Sequence, residues 1–213
     1  MNTDELIGLL ATGNPRVPPH ALARRLGMAL AAGALGAVLL MASLYGVRPD
    51  LAEVARTPLF WAKVSLPSVL LGVALVLVHR LARPGVKAGP AAGALLIPVA
   101  LVWLGGAVEW LGASSVDRPG LLFGTTWKTC ALNIALLSVP ALVANVWVLR
   151  SMNPTRLRAA GAAGGLLAGA TATLAYCLHC PEMNVTFWCV WYLAGMLLPT
   201  ALGAWIGPRV LRW

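Results

Sequence analysis

The stretch Tyr176-Cys177-Leu178-His179-Cys180-Pro181-Glu182 gathers two of the four cysteines, one of the three histidines and one of the seven acidic residues of a 213-residue chain. Thiolate, imidazole and carboxylate are the groups that bind metal ions, and a thiol can also be oxidised. Two further cysteines, Cys130 and Cys189, lie outside this stretch. His179 next to Cys180 could lower the thiol pKa or share a metal, with Glu182 as a further ligand. Cys177 and Cys180 are three apart, which puts them on one face of a helix if the helix runs that far. Cys189, between Trp188 and Val190, reads more simply as a small apolar filler.

The elements that must position these groups are membrane spans. The chain is 59% hydrophobic and only 11% charged, with a mean hydropathy of +0.80. Soluble domains carry about 25% charged residues. The charges bound six apolar runs: Arg25 to Arg48, Lys63 to Arg80, Lys87 to Glu109, Lys128 to Arg150, Arg158 to Glu182, and Glu182 to Arg209. Each suits a helix crossing a hydrocarbon core of about 30 Å. The second run is short, so its span is expected to start near Leu59 with Lys63 snorkelling outward. Pro67, Pro98, Pro140 and Pro199 fall inside spans, where neighbouring helices tolerate kinks. The fold expected is all-α, a polytopic bundle of six transmembrane helices (26–208) between a short N-terminal tail (1–25) and a C-terminal end (209–213). No cleaved leader is expected.

Basic residues orient the bundle. Arg16, Arg24, Arg25, Arg80, Arg83, Lys87, Arg150, Arg156, Arg158, Arg209 and Arg212 fall on the side of the termini. Arg48, Arg56, Lys63, Arg118 and Lys128 fall on the other. The positive-inside rule places both termini in the cytoplasm. The net charge of +9 then reflects topology and contact with the lipid bilayer, so no direct binding of nucleic acid is expected. All four cysteines, with Glu109 and Glu182, come out near the far surface, where converging helix ends could bring Cys130 near Cys180.

In the tail, Asn2 or Thr3 can cap a helix with Asp4 and Glu5 in its first turn. Leu6, Ile7, Leu9 and Leu10 form its apolar face, suited to lipid or to a partner's groove. Gly13-Asn14-Pro15 should end it, with Pro18-Pro19 keeping the next residues extended. Gly161, Gly165 and Gly169 in the fifth run form a small-residue stripe for close helix packing. Asn133, Ser138 and Asn145 in the fourth look like interhelical hydrogen-bond formers, and His20 and His79 read as interfacial. No Walker loop, zincin motif or nucleophile elbow is present, and no enzyme activity is expected.

Leu178-His179-Cys180-Pro181-Glu182, followed by Phe187, Trp191-Tyr192 and Gly195-Met196, resembles the NrsF family of bacterial inner-membrane anti-sigma factors. Thr3-Asp4-Glu5-Leu6-Ile7-Gly8-Leu9-Leu10-Ala11 and Trp127-Lys128-Thr129-Cys130 are similar to that family's start and to its other cysteine. The resemblance implies a protein that holds an extracytoplasmic-function sigma factor at the membrane. It implies release when heavy metals or oxidants act on a cysteine pair, here Cys130 and Cys180. It implies no constitutive cofactor, only a transient heavy-metal ion on that pair, with His179 and Glu182 in support. Cys177 and Cys189 are additional to the pattern. The resemblance also makes the N-terminal helix, Asp4 to Leu10, the partner-binding element. The alternative class is a membrane thiol oxidoreductase passing electrons from periplasmic thiols to quinone.

Overall fold

The computed structural model describes residues 2–12 and 20–212 and is 78% helix, with no strand among the described residues. Six helices are long and apolar enough to cross a membrane. Span one is Ala21–Leu44, span two Pro58–Leu81, span three Ala91–Gly112, span four Arg118–Arg150, span five Leu157–Cys177 and span six Val185–Val210. A separate N-terminal helix covers Thr3–Thr12. Consecutive spans run in opposite directions, so the bundle has a termini end and a cysteine end. Span one starts earlier than the charge pattern implied, with Arg24 and Arg25 in its first turns; Arg25 Nη1 donates to Ser151 at the end of span four, 3.1 Å away.

The N-terminal helix starts as expected. Asn2 Oδ1 accepts from the Asp4 amide at 3.4 Å, and the Asn2 amide donates to Glu5 Oε2 at 3.0 Å, a reciprocal capping arrangement. The expected Gly13-Asn14-Pro15 stop and the extended Pro18-Pro19 lie outside the described residues.

Span five is the mast of the bundle, 83% buried, whereas span three at 11% is peripheral. Its glycine stripe explains why. A Cβ added at Gly161 would collide with the carbonyl of Gly203, one at Gly165 with the carbonyl of Pro199, and one at Gly169 would come within 3.0 Å of the Met196 Cα. Span six answers with Gly203 and Gly207, whose own added Cβ atoms would strike Gly161 and Leu157. Backbone lies on backbone along the whole seam, the arrangement that dispersion favours where lipid offers no hydrophobic drive. Spans one and four repeat the device with Gly33 on Ala141 and Gly36 on Pro140.

Polar side chains in span four divide. Asn145 Nδ2 donates across to Gly164 O at 3.0 Å, and Asn133 bridges Tyr45 and Tyr176. Ser138 is a correction: its hydroxyl donates to Ala135 O of its own helix at 2.6 Å, where Pro140 interrupts the ladder. The outward faces carry Leu101, Val143, Trp147 and Leu197, each more than half exposed, as a lipid-facing surface requires.

Replacing Gly165 with leucine should overpack the seam and cost about 3 kcal/mol or more. Gly72→Ala, where an added Cβ meets nothing within 4 Å, should be neutral. Thermal melts of both variants in detergent check this.

Candidate functional site at the cysteine end

Span five ends at Cys177, and a last turn closes with the Cys180 amide donating to Tyr176 O at 2.9 Å. Pro181 cannot extend the helix, so residues 178–184 form a loop before span six. Cys180 therefore sits just past the helix rather than on it. The loop lies over the bundle core, and every cysteine is a buried free thiol. Cys130, Cys177 and Cys180, each fully buried, share one apolar cluster with Tyr176, Trp188 and Tyr192. Cys130 comes from the first turn of the Trp127–Leu137 helix within span four, so the Cys130–Cys180 approach joins span four to the end of span five. The neighbouring Cys130 side chain holds the Cys180 thiol below its ordinary value, with Lys63 adding to the pull and burial opposing it.

Lys63 departs from expectation. Its side chain does not snorkel outward; it is fully buried. Nζ donates to Cys180 O at 2.7 Å and Glu182 O at 2.8 Å, and lies 5.6 Å from the centre of the Tyr192 ring. The reason is local. The loop exposes carbonyls that no helix ladder satisfies, and two of them supply the acceptors that a buried ammonium requires. Arg48 Nη1 adds a second donor to Cys180 O at 3.1 Å, while its other nitrogens grip Asp50 at 2.7 and 2.8 Å. Among the described residues, Arg48–Asp50 is the only ion pair, so Lys63 rests on carbonyls alone.

His179 and Glu182 go to other tasks. His179 Nδ1 donates to Gly46 O at 3.0 Å, and its ring lies between Tyr45 and Tyr176, 5.3 and 5.6 Å away. Glu182 Oε1 accepts from the amides of Thr125 and Thr126 at 2.7 and 3.1 Å and from both threonine hydroxyls. It caps the start of the helix that carries Cys130, where an acid opposes the helix dipole favourably. Gly124, with φ +52°, lets the chain turn beneath that carboxylate. Glu109 caps span six in the same way, accepting from the Thr186 amide and hydroxyl at 2.7 Å each. The structure thus brings Cys130, Cys177 and Cys180 together and leaves His179 and Glu182 on separate partners. Among the described residues, no three His, Cys, Asp or Glu side chains gather to hold a metal ion. Cys189 stands apart, its thiol donating to Thr186 O at 3.1 Å against Gly106 of span three.

Residues 10–213 match the family described as negative regulator of sigma F, NrsF. The chain belongs to the NrsF family. It is 45% identical, over the full length of both chains, to a protein of Azospira oryzae named "Probable anti-sigma-F factor NrsF". It is 37% identical, again over the full length of both, to the "Anti-sigma-F factor NrsF" of Caulobacter vibrioides. No solved structure matches. In this NrsF chain the groups that sequence reasoning missed are Lys63, Arg48, Tyr176 and Tyr192. The signal available was a lone lysine inside an apolar run, at a depth where a charge needs a partner.

The tie through Lys63 is testable. Lys63→Met removes one charged donor from each of two buried carbonyls, leaving Cys180 O to Arg48 and Glu182 O to Trp188, a loss of about 1–3 kcal/mol, so the loop should open roughly tenfold more often. Maleimide labelling of Cys180 in membranes should accelerate accordingly, with the far thiol Cys189 unchanged. Glu182→Ala should lower the melting temperature by removing the cap on span four.

Proposed function

We propose that this chain is a membrane-bound anti-sigma factor. It sequesters an extracytoplasmic-function sigma factor through its N-terminal helix and releases it when Cys130 and Cys180 react with a heavy-metal ion or an oxidant. The observation that carries this reading is the buried pairing of those two thiols from different spans, at the opposite end of the bundle from the segment that precedes span one. The names of the two relatives support the sigma-factor partner. The surplus of basic residues at the termini end supports an inner-membrane protein with both termini in the cytoplasm and the thiols in the periplasm.

The N-terminal helix supports the partner's place. Leu6, Ile7, Leu9 and Leu10 are exposed, the last at 66%. A ten-residue helix is marginal alone in water and gains from docking in an apolar groove. Asp4 and Glu5 on its first turn suit a basic rim on the partner.

Reaction at the thiols ties span four to span five. Oxidation removes two electrons and two protons from the pair and forms one sulfur–sulfur bond, the electrons passing to the oxidant. A soft metal ion would instead bridge the two sulfurs. A bond between Cys177 and Cys180 would join only neighbouring turns and restrain no second span. Because Cys180 is held to Lys63 and Arg48, and Glu182 to Thr125 and Thr126 just before the helix of Cys130, a shift at the pair moves spans one, two, four and five together. The effect must cross about 30 Å of bilayer. A hundredfold release needs the bound and released states to change their balance by about 3 kcal/mol.

Cys130→Ser and Cys180→Ser, tested separately, should each abolish induction of sigma-dependent transcription by metal or oxidant and leave basal repression intact, while Cys189→Ser responds normally. Induction that survives in both serine variants moves the switch to another group. Leu6→Asp with Leu10→Asp should free the sigma factor without removing the protein from the membrane; unchanged repression there rules out this helix as the docking element. Bound quinone with thiol-oxidising turnover in the purified protein would favour the oxidoreductase reading instead.

A further inference from the structure

At the termini end, the seam between spans five and six opens into a groove of about 740 Å³. Its floor is Ala201, Ala204, Trp205 and Pro208 of span six. Its rim is three exposed arginines: Arg158 on the first turn of span five, and Arg209 and Arg212 at the end of span six. Arg209 stacks on the Trp205 ring with its guanidinium carbon 4.9 Å from the centre, and its Nη1 donates to Trp205 O at 3.1 Å. Arg158 and Arg212 have no hydrogen-bond or ion-pair partner among the described residues.

No acidic side chain of the six spans lies at this end. It has seven acidic residues. Asp50, Glu53, Glu109, Asp117 and Glu182 lie at the cysteine end, and Asp4 and Glu5 lie on the N-terminal helix. Three guanidiniums around one groove repel one another, and a wetted phosphate oxygen is the acceptor that guanidinium geometry fits best. The groove does not stop at the charges. Leu197, Ala201 and Trp205 follow one another at helical spacing of four down the outward face of span six, with Leu197 61% and Trp205 63% exposed. An occupant needs an anionic head at the arginines and an apolar tail along that stripe. Inorganic phosphate has no tail, and an acidic protein surface has no segment to lie at lipid depth.

We propose that this groove is a binding site for an anionic phospholipid, its phosphate held by Arg158, Arg209 and Arg212 and an acyl chain lying along Leu197, Ala201 and Trp205. The lipid bridges the two spans at the end of their glycine seam. This site is independent of the partner taken by the N-terminal helix.

The test is native mass spectrometry of the full-length protein in detergent, titrated with phosphatidylglycerol or phosphatidylcholine. The wild type should retain phosphatidylglycerol over phosphatidylcholine. Arg158→Gln/Arg209→Gln/Arg212→Gln should lose at least about tenfold of that retention, since each basic group near an anionic surface contributes measurably. Arg80→Gln/Arg83→Gln/Arg150→Gln removes the same charge from the same end and should keep the preference. Ala201→Trp fills the groove without altering charge and should lose it. Millimolar inorganic phosphate should not compete. Equal loss in both arginine triples shows a general surface charge and overturns the site. Unchanged retention in the groove triple overturns it as well, as does displacement by free phosphate. Unchanged lipid retention with lost sigma-factor binding in that triple assigns the groove to a protein partner instead.

Discussion

The buried ammonium of Lys63 is the point on which the cysteine end depends. It has no carboxylate partner among the described residues and is held by the carbonyls on either side of Pro181. Remove that donor and both acceptors lose their shortest, charge-assisted bond over an apolar core, where no water can replace it cheaply. The same loop is tied further by Arg48 to Leu178 O and Cys180 O, by His179 to Gly46, by Glu182 to Thr125 and Thr126 of span four and by Trp188 to Glu182 O. Every span but the third is held by it directly. The third is joined through Glu109 and Thr186. The two thiols are thus buried inside a tightly tied polar knot at the end of an otherwise apolar bundle.

The body of the bundle rests on a different force. Lipid gives helices no hydrophobic reason to associate, so close approach has to supply the attraction. Span five meets this with glycine at three successive turns facing span six, 161, 165 and 169, and span six returns glycine at 203 and 207. Such a seam is rigid along its length because any sliding puts backbone into backbone. Its two ends are Cys177 on one side of the bundle and Arg158 with Arg209 on the other. A lipid held there would weigh on the same seam from the opposite side.

Two polar devices repeat. A glutamate from one segment caps the helix start of another, Glu182 on span four and Glu109 on span six. Glu182 is a carboxylate that sequence reasoning treats as a candidate ligand. In a bilayer the first amides of a helix have no water to turn to, so capping is a sufficient reason for an acid at membrane depth. A lone acidic residue beside a cysteine is therefore weak evidence for a metal site in a protein of this class.

Six apolar runs, their alternation, the basic surplus at one end, the capped N-terminal helix and the glycine stripe were all legible in the sequence. Each is a local pattern: run length, charge count or residue spacing, acting through the bilayer as solvent. The level of the four cysteines followed from topology alone. What the tertiary structure decided was partnership. The burial of Lys63, the diversion of His179 to Gly46 and of Glu182 to Thr125 and Thr126, and the approach of Cys130 to Cys180 without Cys189 all join residues far apart in the chain. Hydropathy assigned Lys63 outward because it weighs a side chain against lipid and water only. What that weighing leaves out is a pair of distant carbonyls that accept from the ammonium, and these are in place only once the loop has folded over the core.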